Sequence, residues 1–156
     1  MEGPIRTMPL AEVKAMVGKE VGKSEWITIT QPMINAFADL TGDHYFIHVN
    51  PERAAKETPF GGSIAHGFLT LSMLAQMAYQ ANPRIAETKT GVNYGFNKVR
   101  FISPVLAGKR VRGKFVLKDL DTATPGRWTS TYEVTVEIEG QEKPALVAEW
   151  LGAGMM

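Results

Sequence analysis

The chain contains no cysteine. That excludes a disulfide framework, a thiolate metal site and a cysteine nucleophile together, and it suits a reducing compartment. Charge of neither sign dominates: 17 Lys and Arg against 16 Asp and Glu leave a formal net charge of +1. No global field therefore invites nucleic acid. No apolar run approaches the roughly 20 residues that cross a bilayer. The opening MEGPIRTMPLAEVKAM lacks the apolar stretch of a signal peptide. No internal repeat, low-complexity tract or linker is present. The expectation is a soluble, cytoplasmic protein with residues 1–156 in one domain and no nucleic-acid or membrane partner. Histidine is also scarce, with three in 156 residues. Two of them, His44 and His48, fall beside Asp43 in the segment LTGDHYFIHVN.

What the chain does have is material for a core, since 44% of it is hydrophobic. PLAEVKAMVG (9–18) predicts a short helix with Leu10, Val13 and Val17 on one face and Gly18 ending it. EWITIT predicts a strand. TQPMINAFADLTG predicts a helix capped by Thr30 or Gln31, with Pro32 in the first turn and Gly42 in the left-handed position past its end. That helix stops before Asp43, so DHYFIH is read as a connecting loop. NPERAAKE predicts a second helix with Asn50 as cap, and TPFGGSIAHG a loop. In HGFLTLSMLAQMAYQAN, apolar residues from Phe68 to Tyr79 cover nearly the full circumference, which predicts a buried helix. Strands follow at 91–105, with a change of phase near Asn97, at 109–120, in RWTSTYEVTVEIEG and in KPALVAEWLG. One buried helix among antiparallel strands is an α+β arrangement. A sheet wrapped round a long central helix is the hot-dog architecture, and that wrapping is inferred from the helix being apolar all round.

The segment FADLTGDHYFIHVNPERA resembles the signature of the MaoC-like dehydratases, the (R)-specific enoyl-CoA hydratases. That signature places an aromatic before Gly-Asp, then Ile or Leu and His, then a small residue. Phe37, Gly42, Asp43, Ile47, His48 and Ala54 occupy those places. PFGGSIAHGFLTLSML and NYGFNKVRFISPV are similar to the family's next loop, helix and strand, so the likeness covers about residues 19–150. The GDHxxIH variant resembles single-domain hydratases linked to polyhydroxyalkanoate supply, and the nodulation protein N group. Many members of the family have Asn-Pro where this chain has Tyr45-Phe46.

The resemblance implies reversible, (R)-specific hydration of a trans-2-enoyl-CoA in fatty acid metabolism, with no cofactor. It implies His48 as the base that takes a proton from water and Asp43 as its acid partner. The chemistry suits these residue types: histidine titrates near neutrality, and an adjoining carboxylate orients the same water and returns a proton on the same face. The thioester oxygen needs a donor, and first-turn N–H groups of a helix have no partner of their own. Gly67, with no side chain, is the candidate; one such donor is worth about 3 to 4 kcal/mol of barrier. A homodimer is expected, because a hot-dog sheet leaves an edge strand for pairing to cover.

Plainer roles stand beside these. Asp43 suits a turn after a helix, His48 a partly buried ring bonded to backbone, and Gly67 close packing. His44 is read as solvated, His66 as shaping the start of the helix, and Ser63 and Ser72 as weak candidates. Asp43, His44, His48 and His66 are residue types that bind zinc, but a spacing of four joins His44 and His48 only on a helix, and the segment is read as a loop, so no metal site is expected. A hot-dog thioesterase and a non-catalytic acyl-binding protein remain alternatives, because fold does not decide function. Lys98, Arg100, Lys109 and Arg110 are candidates to clamp CoA, or a solvated face. Acyl chain length, pathway and the choice between CoA and acyl-carrier protein are not readable.

Overall fold

The computed structural model describes residues 5–156. Short elements open the chain: β1 (Thr7–Met8), α1 (Leu10–Lys14), β2 (Glu20–Lys23) and β3 (Ile27–Thr28). Helices follow in α2 (Gln31–Thr41), α3 (Phe46–Val49), α4 (Pro51–Glu57), α5 (Gly67–Ser72) and α6 (Leu74–Ala81). The rest is strand: β4 (Arg84–Ile85), β5 (Thr90–Phe101), β6 (Arg110–Asp121), β7 (Arg127–Ile138) and β8 (Leu146–Met155).

The main sheet runs β2-β6-β7-β8-β5, with β3 beside β2 on the same strand. Every pairing in it is antiparallel. Alternation decides its faces. Val111, Phe115 and Leu117 of β6, Val134, Val136 and Ile138 of β7, and Leu146 and Ala148 of β8 are buried on the inner one. On the outer one Arg110 and Arg112 meet Glu139 and Glu137 across the β6–β7 ladder. A separate parallel pair joins β1 and β4.

α6 lies against the inner face because two glycines let it approach. A Cβ at Gly113 of β6 would stand 3.1 Å from the Met77 sulfur and 2.7 Å from the Phe115 ring. A Cβ at Gly22 of β2 would stand 2.6 Å from the Ala81 carbonyl oxygen. The helix therefore seats at the β2–β6 side, with Leu74, Met77 and Ala81 buried.

The α+β class and the antiparallel sheet are as the sequence predicts. The caps of α2 are too: Thr30 Oγ1 accepts from the Met33 N–H, and Gly42 takes φ +80°. Asn50 caps α4 by accepting from the Arg53 N–H. Five details differ. The helix predicted at 9–18 ends at Lys14, and Val17 is exposed rather than on the buried face. EWITIT keeps only Ile27–Thr28 as strand, while β2 was not foreseen. The central helix is interrupted at Met73, whose φ −68° and ψ −12° still keep the chain turning. Its circumference is not all buried either. Phe68, Ser72, Ala75 and Tyr79 form a helically spaced stripe that is exposed in the single chain. Finally, β5 shifts register twice, once near Asn97 as expected and once between Asn93 and Gly95.

Candidate active site

α2 is capped by Gly42 and delivers Asp43, half-exposed, beside His48 and His66. The Asp43 N–H donates to Thr41 Oγ1, and Asp43 Oδ1 accepts from the Tyr45 N–H at 3.2 Å. This is the turn-capping role that an aspartate after Thr-Gly suggests. It uses one carboxylate oxygen only. Oδ2 lies 4.0 Å from Nε2 of His48 and 4.0 Å from Nε2 of His66.

The segment read as a loop contains one turn of helix, α3, and His48 sits on it, buried. Four residues are too few for a periodic pattern to register. The His48 Nδ1–H donates to the Ile64 carbonyl at 2.7 Å. That bond fixes the tautomer of the neutral ring, so Nε2 presents its lone pair toward Asp43. Gln31 holds the backbone of the same turn. Its amide donates to the His48 carbonyl at 2.7 Å and to Asn35 Oδ1 at 2.9 Å, and its oxygen accepts from Ser63 Oγ. Every side-chain group of Gln31 thus has a partner. Gln31 escaped the sequence reading because it looked like a cap candidate and nothing more.

Burial pushes the His48 pKa below its ordinary value of 6.5, against the opposing effects of the Ile64 carbonyl and Asp43. His44 behaves in the opposite way. It is exposed and hydrogen-bonded to Asp39 at 2.8 Å, which raises its pKa. It turns to Asp39 rather than to His48, in keeping with the solvated role. Ser72 bonds back to the Phe68 carbonyl.

His66 precedes α5 and is buried. Its Nε2–H donates to the Asp43 carbonyl at 3.0 Å, and its ring stacks on His48 with centroids 3.9 Å apart and planes 22° apart. Asp43, His48 and His66 bring their donor atoms within 4.8 Å of one another. Lone pairs lie in the ring planes, so two nearly parallel imidazoles aim side by side and not at a common point. The arrangement is a poor tetrahedral cage and a good place for a small neutral molecule.

Gly67 follows His66 at the first position of α5. Its N–H has no acceptor among the described residues. A Cβ here would stand 2.9 Å from the Phe101 ring. Packing thus demands a glycine and leaves the N–H open at once. Arg53 lies over the Phe46 ring at 4.0 Å, and Phe46 meets Tyr45 edge to face. Among the CoA-clamp candidates, Arg110 is tied to Glu139, and Arg100 donates to the Val99 carbonyl.

The model of the MaoC like domain matches residues 12–141. The chain belongs to the MaoC-like dehydratase family. It is 56% identical to nodulation protein N of Rhizobium leguminosarum bv. viciae over 144 residues, 92% of this chain and 89% of that one. It is 49% identical to 3-hydroxyacyl-thioester dehydratase Z of Mycobacterium tuberculosis over 140 residues, 90% of this chain and 91% of that one. Among solved structures it is similar to the (R)-hydratase from A. caviae involved in PHA biosynthesis. The TM-score is 0.70 at 26% identity, over 86% of this chain and 96% of that one. The hot-dog fold of this MaoC-like chain is shared with that neighbour. No helix among the described residues is long and apolar enough to cross a membrane.

Proposed function

We propose that this MaoC-like protein hydrates trans-2-enoyl-CoA to (R)-3-hydroxyacyl-CoA reversibly, with Asp43 and His48 as the reacting pair. The coarser activity, hydration and dehydration of an acyl thioester by a carbon–oxygen lyase, is that of the family. The observation that carries the finer reading is the 4.0 Å gap between Asp43 Oδ2 and His48 Nε2, with Nε2 free to accept. A water at about 2.8 Å from each atom bridges that gap. His48 takes its proton as the hydroxyl adds to C3. The proton then passes by way of Asp43 Oδ2 to C2, on the same face of the double bond. The Gly67 N–H, unclaimed by the protein, receives the thioester oxygen as it gains charge. Tyr45-Phe46 in place of Asn-Pro does not remove support for His48, because the Ile64 carbonyl and Gln31 hold it.

A groove of about 530 Å³ lies against α6, with Ala75, Ala78 and Tyr79 of the helix on one wall and Tyr132, Trp150 and Gly152 of the sheet on the other, and its largely apolar walls suit an acyl chain. The chain acts as a cytoplasmic homodimer in which a second copy covers β5. The test is turnover of crotonyl-CoA with chiral chromatography of the product. The expected result is (R)-3-hydroxybutyryl-CoA alone. Free CoA thiol in its place would favour a thioesterase, no turnover an acyl-binding protein, and substantial (S) product would overturn the one-face geometry.

A further inference from the structure

We propose that His66 is a positioning residue for the reacting pair: its Nε2–H fixes the loop that carries Asp43, while its ring braces the His48 imidazole and covers one face of it. This inference rests on the assignment of Asp43 and His48.

Three observations on three different atoms converge on this role. The Nε2–H bond to the Asp43 carbonyl, at 3.0 Å, is made to the backbone of the one residue whose carboxylate must be aimed. The stack on His48, at 3.9 Å and 22°, covers a face of the base. Nδ1 of His66 is buried with no hydrogen-bond partner among the described residues. A residue that merely began a helix would turn its side chain to accept a first-turn N–H. His66 makes no such cap bond. Its one strong bond goes to Asp43.

Nε2 carries a proton, since a carbonyl accepts from it. The groups facing His66 are Asp43 from the loop after α2, His48 from α3, and the apolar ring of Phe37 from α2, 4.9 Å away and tilted. Burial is the largest cause of the lowered His48 pKa, and the His66 ring is part of that burial.

The two functions separate by substitution. His66→Phe keeps a ring for the stack and loses the donor. Its kcat on crotonyl-CoA should fall at least about tenfold with KM within about twofold. His66→Gln keeps a donor and loses the stacked ring. It should recover kcat about tenfold over His66→Phe while the acid limb moves up toward the ordinary histidine value. Wild-type kcat in His66→Phe, or an unmoved acid limb in His66→Gln, would overturn the proposal. Long-range ¹⁵N–¹H spectra of the unmodified protein give a test that needs no variant. His66 should show its proton on Nε2, bonded to the Asp43 carbonyl, and an Nδ1–H tautomer would overturn it. If Asp43→Asn and His48→Ala both retained activity, the pair itself would be wrong. If both were inactive while His66→Phe was active, only this inference would fail.

Discussion

Asp43 divides its oxygens between structure and the proposed chemistry, and a substitution can separate them. Asparagine at 43 keeps an oxygen for the Tyr45 N–H but carries no proton between water and C2. Asp43→Asn should lower kcat by at least about 10²-fold with a Tm near that of the parent. His48→Ala should cost a similar factor, and it should also lower Tm. It leaves the Ile64 carbonyl without its donor, at about 1 to 3 kcal/mol for an unsatisfied buried acceptor. Near-parent turnover in either variant would contradict the assignment. Both residues were legible in the sequence because their types and spacing are unusual together in so histidine-poor a chain. His66 and Gln31 were not. What marks them is a bond to a backbone carbonyl formed across 23 or 17 positions, and sequence spacing carries no record of such a bond. The pH dependence belongs to this scale as well. Burial depresses the His48 pKa below 6.5, and protonation of Nε2 removes the base. The half-point of the acid limb of kcat/KM should lie below pH 6.5. The unfolded chain takes up its proton at the ordinary value, so His48 also withdraws stability as pH drops from 6.5 toward its folded pKa. An acid limb centred at or above 6.5 would be inconsistent with the buried site.

Elements with strong local signals were legible, and those decided by contacts were not. The cap chemistry of α2 and the two-residue alternation of β6 and β7 are written locally, and the structure matches them. α3 is a single turn, held by Gln31 and Ile64 rather than by its own propensity. β2 contains a glycine that α6 needs for its approach, and glycine argues against a strand in any local reading. The first turn of α5 offers the test at this scale. Gly67→Ala sets a Cβ against Phe101 but keeps the N–H. Gly67→Pro removes the N–H at a first-turn position that otherwise tolerates proline. His66 already has φ −57° and ψ 135°, the extended region that a residue before proline prefers. Made together with Phe101→Ala, which clears the clash, Gly67→Ala should retain most of kcat. Gly67→Pro on the same background should lose about 10²-fold or more. Equal activity of the two double variants would show that the N–H plays no part.

At the scale of the whole molecule, the single chain is left with surface that a soluble protein rarely exposes. β5 is a twelve-residue edge strand. Val92 and Tyr94 on it are about two-thirds exposed and Phe101 nearly half, and Phe68 and Tyr79 on the neighbouring helices are more than half exposed. A long edge with large apolar side chains is a template for pairing unless something covers it. The helix pattern has the same meaning. The sequence read the central helix as apolar all round because Phe68 and Tyr79 complete its circumference, and the sheet of one chain leaves both largely uncovered. In the proposed dimer, a second copy docked along β5 would cover strand edge and helix stripe together, and Phe101, packed by Phe68 and close to Gly67, would lie at the border of that contact. The expectation is a dimer at micromolar concentration in analytical ultracentrifugation. Lysines at Val92 and Tyr94 should shift it toward monomer, since charge on an edge strand opposes pairing. Turnover should fall in parallel, because loosening β5 releases Phe101 from the first turn of α5. A parent chain that sediments as a monomer would contradict the proposed assembly, and lysine variants that become monomers with full activity would show that one chain completes the site alone.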